Sequence, residues 1–304
     1  MTTAARPLTR RRSLSERTIE VLLFLSAAVG VVTTIGIVLV LIFETLSFFV
    51  EVDPIAFFTG TFWSASIQPR AWGVLALVSG TVLVAAIALV IAVPLGLLSA
   101  TLLSDYASPR VRTVVKPVLE TLAGVPTIVL GFFAVNVVSP QLLIPLLGRN
   151  TIGGFSALAG GIVVGLLVTP LIASISEDAM RAVPRGLREG AYAMGATRFE
   201  VVRKIVFPAA VSGIMASIIL AMSRAIGETM AVLLAVGAKP QFTLDPTESV
   251  QTMTAFIAAI SLGETAPGSI EFKSLFAVGL TLFGMTLVLN LLSGWFVRKY
   301  RTAY

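Results

Sequence analysis

Residues 189–208 read EGAYAMGATRFEVVRKIVFP, a charged, soluble-looking passage in a chain that is otherwise mostly apolar. Helix signals stand on both sides of a central glycine. Upstream, Pro184 in RAVPRGLREG is placed as a first-turn proline, so a short helix starts there and runs to about Met194, where Gly195 supplies the left-handed conformation that ends it. Downstream, Thr197 and Glu200 have the T-x-x-E spacing of a capping box and open a second helix. In that helix Phe199, Val202 and Val206 recur at helical spacing while Arg198, Arg203 and Lys204 face elsewhere. Pro208 marks entry into a long apolar run. The pattern predicts a helix, glycine hinge, helix element at a membrane surface, with Gly190, Ala191 and Ala193 leaving one side thin enough for a partner to approach. From the residues alone two readings stand: an interfacial helix resting on lipid headgroups, or a docking element.

The rest of the chain says which solvent surrounds this passage. Of 304 residues, 56% are hydrophobic and 12% charged, and the mean hydropathy of +0.95 is that of a polytopic membrane protein. Without Cys or His there is no thiol nucleophile, no imidazole base, no disulfide and no Cys/His ligand set for zinc or copper. The formal charge of +6 is spread over short segments between apolar runs, which is how topology is encoded in a bilayer rather than how nucleic acid is bound.

A hydrocarbon core of about 30 Å needs about 20 apolar residues per helix, and six such runs are present, near 21–43, 72–103, 118–138, 152–175, 208–237 and 272–297. The first follows RPLTRRRSLSERT but is too long for a signal-peptide core, so it is read as a retained span behind a cytoplasmic tail, 1–20, with an outer loop to residue 71. Residues 72–297 form the main transmembrane unit and 298–304 a second cytoplasmic tail. Lys and Arg number 17 on the side of both tails and of the loops 104–117 and 176–207, against four on the other side. The positive-inside rule therefore puts both termini and the 189–208 passage in the cytoplasm of a cell-membrane protein. The outer loops carry Glu44, Glu51, Asp53, Asp245, Glu248 and Glu264.

Pro94, Pro126, Pro170 and the glycines of LAGGIVVG at 158–165 punctuate the spans. Singly they mean kinks and close packing; together they suit helices that bend around a pathway. Arg224 falls near the middle of the fifth run, where an arginine costs about 2.5–3.5 kcal/mol on insertion scales. Glu228 follows at i+4, on the same helical face. The two either neutralise each other to fix packing, or Arg224 offers its guanidinium fork to a passing anion while Glu228 tempers the affinity.

The passage resembles the EAA loop of ABC-importer permeases: Glu189, Gly190, Ala191, then Gly195, then Ile205, Phe207 and Pro208, with Gly190 and Phe207 standing where that pattern has Ala and Leu. From about residue 57 onward the chain is similar to the PstC-type permeases of phosphate ABC transporters, in LSDYASPRVRTVVKPVLETLAGVPTIVLGFFAV, in the segment around the loop and in SRAIGETMAVLLAVG. The sister PstA type continues G-E-T with A-P, whereas 227–232 read GETMAV. The resemblance implies an all-α type I ABC-importer permease fold of six spans, with 72–297 as its transmembrane type-1 domain and 189–208 as a cytoplasmic coupling-helix loop. Glu189, Gly190, Ala191, Gly195, Thr197 and Glu200 would then face an ATPase, and Arg224 and Glu228 would lie on the substrate pathway. It further implies a PstA-type permease partner, two PstB-type ATPase subunits and a PstS-type phosphate-binding protein. The chain itself would be no enzyme and hold no cofactor, since ATP and Mg sit on the ATPase; the sequence contains no G-x-x-x-x-G-K-[ST] phosphate loop. A permease for sulfate or molybdate and an ion-coupled secondary transporter are the alternatives.

Overall fold

The computed structural model describes residues 14–65 and 68–299, so most of the 1–20 tail and the end of the 298–304 tail lie outside the described residues. Among the described residues six helices are long and apolar enough to cross a membrane. The first is α1 (Leu14–Phe49), which lies along the last helix of the chain. At its end Asp53 accepts from the backbone N–H groups of Ile55 and Ala56 at 3.2 and 3.1 Å, and Pro54 takes the first helical position, so a short helix α2 (Pro54–Thr59) starts there. A two-stranded antiparallel hairpin follows, β1 (Trp63–Ser64) and β2 (Ala71–Trp72), with Trp63 opposite Trp72. Phe48, Phe57, Trp63, Trp72 and Phe256 meet edge to face around this hairpin and seal one end of the bundle.

The second span is α3 (Leu75–Thr101), extended by a π-helical turn over Leu102–Tyr106. An amphipathic helix α4 (Pro109–Leu122) follows, capped by Ser108 and carrying no buried residue. The third span comes only after it: α5 (Thr127–Phe133), a π-helical stretch Ala134–Leu143 and α6 (Ile144–Leu147). The apolar run expected at 118–138 is thereby moved, because its first residues belong to α4 and the chain turns at Gly124 and Pro126 before the membrane helix begins.

The fourth span, α7 (Ala157–Arg181), is the most enclosed. It packs on α3 through small residues: a Cβ added to Gly165 would stand 2.9 Å from the carbonyl oxygen of Ala88, and one added to Gly161 would stand 2.5 Å from Ile87 Cγ2. The 189–208 passage follows as α8 (Arg185–Ala193) and α9 (Arg198–Val201), and a π-helical turn at Val202–Val206 leads into α10 (Phe207–Ile226). The expected fifth run to residue 237 is broken. Its helix stops at Ile226, and after Gly227 a separate short helix α11 (Met230–Ala235) begins. With α12 (Met253–Leu262) it stays at the hairpin end, and α13 (Ile270–Lys299) makes the sixth span.

Candidate functional site

Local signals build the α8 end as the sequence predicts. Gly195 sits at φ +83°, its N–H donates to the Tyr192 carbonyl at 2.9 Å, and the Ala196 N–H donates to the Ala191 carbonyl at 3.1 Å. This is the Schellman closure, which needs a left-handed residue and so a glycine. The capping box also forms: the Glu200 N–H donates to Thr197 Oγ1 at 3.3 Å and the Thr197 N–H to Glu200 Oε2 at 3.0 Å. Pro184 stands one position earlier than a first-turn proline, as the cap. The inward apolar set is Val201, Val202 and Val206, whereas Phe199 is exposed.

Every residue of α8 is at least partly exposed. Leu187, Tyr192, Met194 and Phe199, on or next to α8 in the chain, are each exposed, Met194 with 88% of its surface free. Glu189, Gly190, Thr197 and the hinge Gly195 are exposed beside them, with Ala191 and Glu200 half-buried. Sequence periodicity marked Phe199 as an inward residue, and no sequence signal marked Leu187, Tyr192 or Met194, because scattered single apolar residues are ordinary.

A second group beside α8 also escaped the sequence. Glu177, 0% exposed, has Lys116 Nζ at 2.8 Å, Arg112 Nε at 2.8 Å and Arg181 Nε at 3.6 Å. The Arg112 contact lies off the hydrogen-bond direction and is ionic only. Lys116 also donates to Asp178 at 2.6 Å. Burial alone lowers the Lys116 pKa, but its hydrogen bonds to Asp178 and Glu177 outweigh that and hold it above the usual 10.5. These contacts fasten α4 to the end of α7. Nearby, the Arg188 guanidinium pairs with Asp105 and donates to the Met180 carbonyl at 2.6 Å.

At the fifth span the structure corrects the expected geometry. Arg224 lies in the last turn of α10, where the helix dipole favours a cation, and is exposed, with no ion pair among the described residues. Glu228 does not share its helical face, because the helix ends at Gly227. Glu228, 8% exposed, instead accepts from the Ala231 N–H at 3.2 Å, and its own carbonyl accepts from Thr254 Oγ1 at 2.7 Å. Beside Arg224, Ser223 Oγ donates to Asn290 Oδ1 at 3.1 Å.

At the hairpin end a cavity of about 1030 Å³ is lined by Trp63, Gln68, Lys239, Gln241, Gln251 and Phe256, among others. Several of the acids there already have internal duties: Glu51 pairs with Lys273, Asp53 caps α2, Asp245 accepts from Thr247, and Glu248 accepts from Gln241.

Residues 92–302 match the family model of the binding-protein-dependent transport system inner membrane component. The chain is 36% identical over 243 residues to the probable ABC transporter permease protein YqgH of Bacillus subtilis, covering 79% of this chain and 77% of that one. It is 33% identical over 250 residues to the phosphate transport system permease protein PstC of Mesorhizobium japonicum, covering 77% and 75%. Among solved structures, a chain of a bacterial alginate ABC transporter in complex with an alginate-bound periplasmic protein superposes with a TM-score of 0.64 at 15% identity, over 97% of this chain and 100% of that one. The last likeness is one of fold, that of the type I ABC-importer permeases.

Proposed function

Because the chain belongs to the family of binding-protein-dependent transport system inner membrane components, we propose that it is the PstC-type permease of an ATP-driven phosphate importer. The observation that carries this reading is the α8, Gly195, α9 element: a short helix with no buried residue, closed by a left-handed glycine and restarted by a capping box. Such an element is rigid at both ends and open along its flank, the form a fitting for a separate motor must take. Phosphate as cargo is supported by the likeness to PstC of Mesorhizobium japonicum.

In this proposal α8 lies in the cytoplasm, as the distribution of Lys and Arg implies, and Glu189, Gly190, Ala191, Gly195, Thr197 and Glu200 form the region that meets one of two PstB-type ATPase subunits. ATP and Mg are held there and not on this chain. A PstA-type permease completes the pathway, and a PstS-type binding protein delivers phosphate at the hairpin end. Arg224 offers its planar fork to the anion from the last turn of α10. Glu228, held by the Ala231 N–H, tempers that attraction in this reading, as passage requires.

The deciding experiment is uptake by vesicles holding the reconstituted assembly, with labelled phosphate, sulfate and molybdate offered with the cognate binding protein. Phosphate uptake that requires internal ATP is expected. ATP-dependent uptake of sulfate or molybdate in its place would change the cargo, and uptake that followed an ion gradient without ATP would overturn the coupling.

A further inference from the structure

Neighbouring residues of α8 differ in exposure: Glu189 is exposed, while the Arg188 side chain is 16% exposed and turned into the bundle. Its two terminal nitrogens go to different elements. Nη1 meets Asp105, in the π-helical turn that ends the second span, and Nη2 donates to the Met180 carbonyl, in the last turn of the fourth span, at 2.6 Å. The Asp105 side chain is 2% exposed and its second oxygen has no hydrogen-bond partner, so Arg188 is the cation that compensates it. Met180 lies at the end of α7, where the helix dipole favours a cation, and its carbonyl accepts from Arg188 in addition to the Val183 N–H at 3.3 Å. A planar fork can hold two such acceptors in one rotamer; an ammonium on a flexible stem fixes direction far less.

The two spans that Arg188 joins are already locked together. Gly96, Gly161 and Gly165 bring α3 and α7 so close that an added Cβ would stand 2.5 to 2.9 Å from the facing helix. By contrast α8 buries none of its residues.

We propose that Arg188 is a positioning residue that fastens the docking helix α8 to the α3–α7 pair, so that a displacement of α8 by the motor moves both spans as one body. This rests on the reading of α8 as the docking element. Glu189 and Gly190, which are meant to touch the ATPase, are exposed whereas the Arg188 side chain is turned inward, so Arg188 acts on transmission rather than on docking.

The test uses the complete reconstituted transporter with three forms of this chain: wild type, Arg188→Lys, and the double variant Arg188→Gln with Asp105→Asn. The double variant leaves no unpaired buried charge, so it does not suffer the folding defect expected of either single neutralisation. Phosphate transported per ATP hydrolysed should fall by at least about fivefold in the double variant, the low end for coupling between two sites, with Arg188→Lys between it and wild type. The ATPase should be retained in all three. Because the chain has no cysteine, spin labels can be placed at Gly186→Cys on α8 and Tyr106→Cys at the end of the second span. Their distance distribution should be narrow and the same with and without ATP, and broad in the double variant. A wild-type transport ratio, or an unchanged distance distribution, in the double variant would overturn the proposal. Loss of the ATPase from the double variant would overturn it too, by making the contact one of docking. A wild-type chain that retains no ATPase fails one step earlier and sinks the docking reading itself.

Discussion

At Gly195 space and conformation can be separated. A Cβ there would meet nothing within 4 Å, yet the backbone sits at φ +83°, where a side chain costs about 1–2 kcal/mol and a β-branched one more. Gly195→Val should therefore open the Schellman closure and cut phosphate transported per ATP without affecting membrane insertion. Gly195→Asn, which tolerates the left-handed region, should restore most of it; equal defects in both would show that conformation is not the cause. Arg224 allows a similar separation. Because it has no described ion pair to lose, Arg224→Gln should shift stability by no more than about 0.5 kcal/mol. Uptake should nonetheless drop about ten- to hundredfold, the worth of a charge-assisted hydrogen bond of about 1.5–3 kcal/mol, with Arg224→Lys partly active. Glu228→Gln keeps an oxygen for the Ala231 N–H and should be milder. The glycine hinge was legible in the sequence because its signals lie within a few residues of one another. The i+4 relation of Arg224 and Glu228 was not, because Gly227 ends the helix between them, and an apolar run does not reveal that its helix has stopped.

Between elements the decisive contacts are long-range. Gly165 lets α7 meet the backbone of α3, so Gly165→Ala must push two helices apart and should cost about 1–3 kcal/mol, read as a fall in the melting temperature of the purified chain. Gly36→Ala, with nothing within 4 Å, is the control. The attachment of α4 depends on Glu177, and Glu177→Gln leaves Arg112, Lys116 and Arg181 without their shared anion. Those cations are partly exposed and can rehydrate, so we expect a loss of about 1–3 kcal/mol and faster hydrogen exchange confined to 109–122. The Lys116 pKa is raised in the folded chain, so its stabilising contribution is fully present below the ordinary 10.5 and is lost only as pH rises beyond it. The protection factors of the α4 amides, which correct for base-catalysed intrinsic exchange, should accordingly be flat through neutral pH. None of this was visible in sequence: Lys116 and Glu177 stand 61 residues apart, and composition cannot show which charges a fold will bury together. The same helix explains the displaced third span, since α4 contributes apolar residues to a run that the chain interrupts at Gly124 and Pro126.

For the whole molecule, the six-span architecture was legible because a bilayer leaves the chain few ways to satisfy its backbone, and the orientation of those spans is a prediction of charge alone. Seventeen Lys and Arg on the α8 side against four on the other predict that α8 lies in the cytoplasm. The absence of cysteine makes the test direct, because a single introduced thiol is the only one in the chain. Arg185→Cys on α8 and Lys239→Cys beside the hairpin-end cavity are both exposed positions. An impermeant maleimide added outside intact cells should label Lys239→Cys and leave Arg185→Cys unlabelled until the membrane is opened. The reverse pattern would put α8 on the face that ATP does not reach, and the proposed coupling could not operate. If the labelling follows the expected pattern, α8 lies on the side of ATP and the hairpin end on the side of phosphate supply, as the proposed function requires. Uptake into vesicles that trap the complete assembly should then stop when ATP is omitted or when a phosphate analogue blocks the ATPase. It should persist when a protonophore collapses the proton gradient. Loss of uptake with the protonophore while ATP remained plentiful would mean that α8 serves some end other than receiving the stroke of a motor.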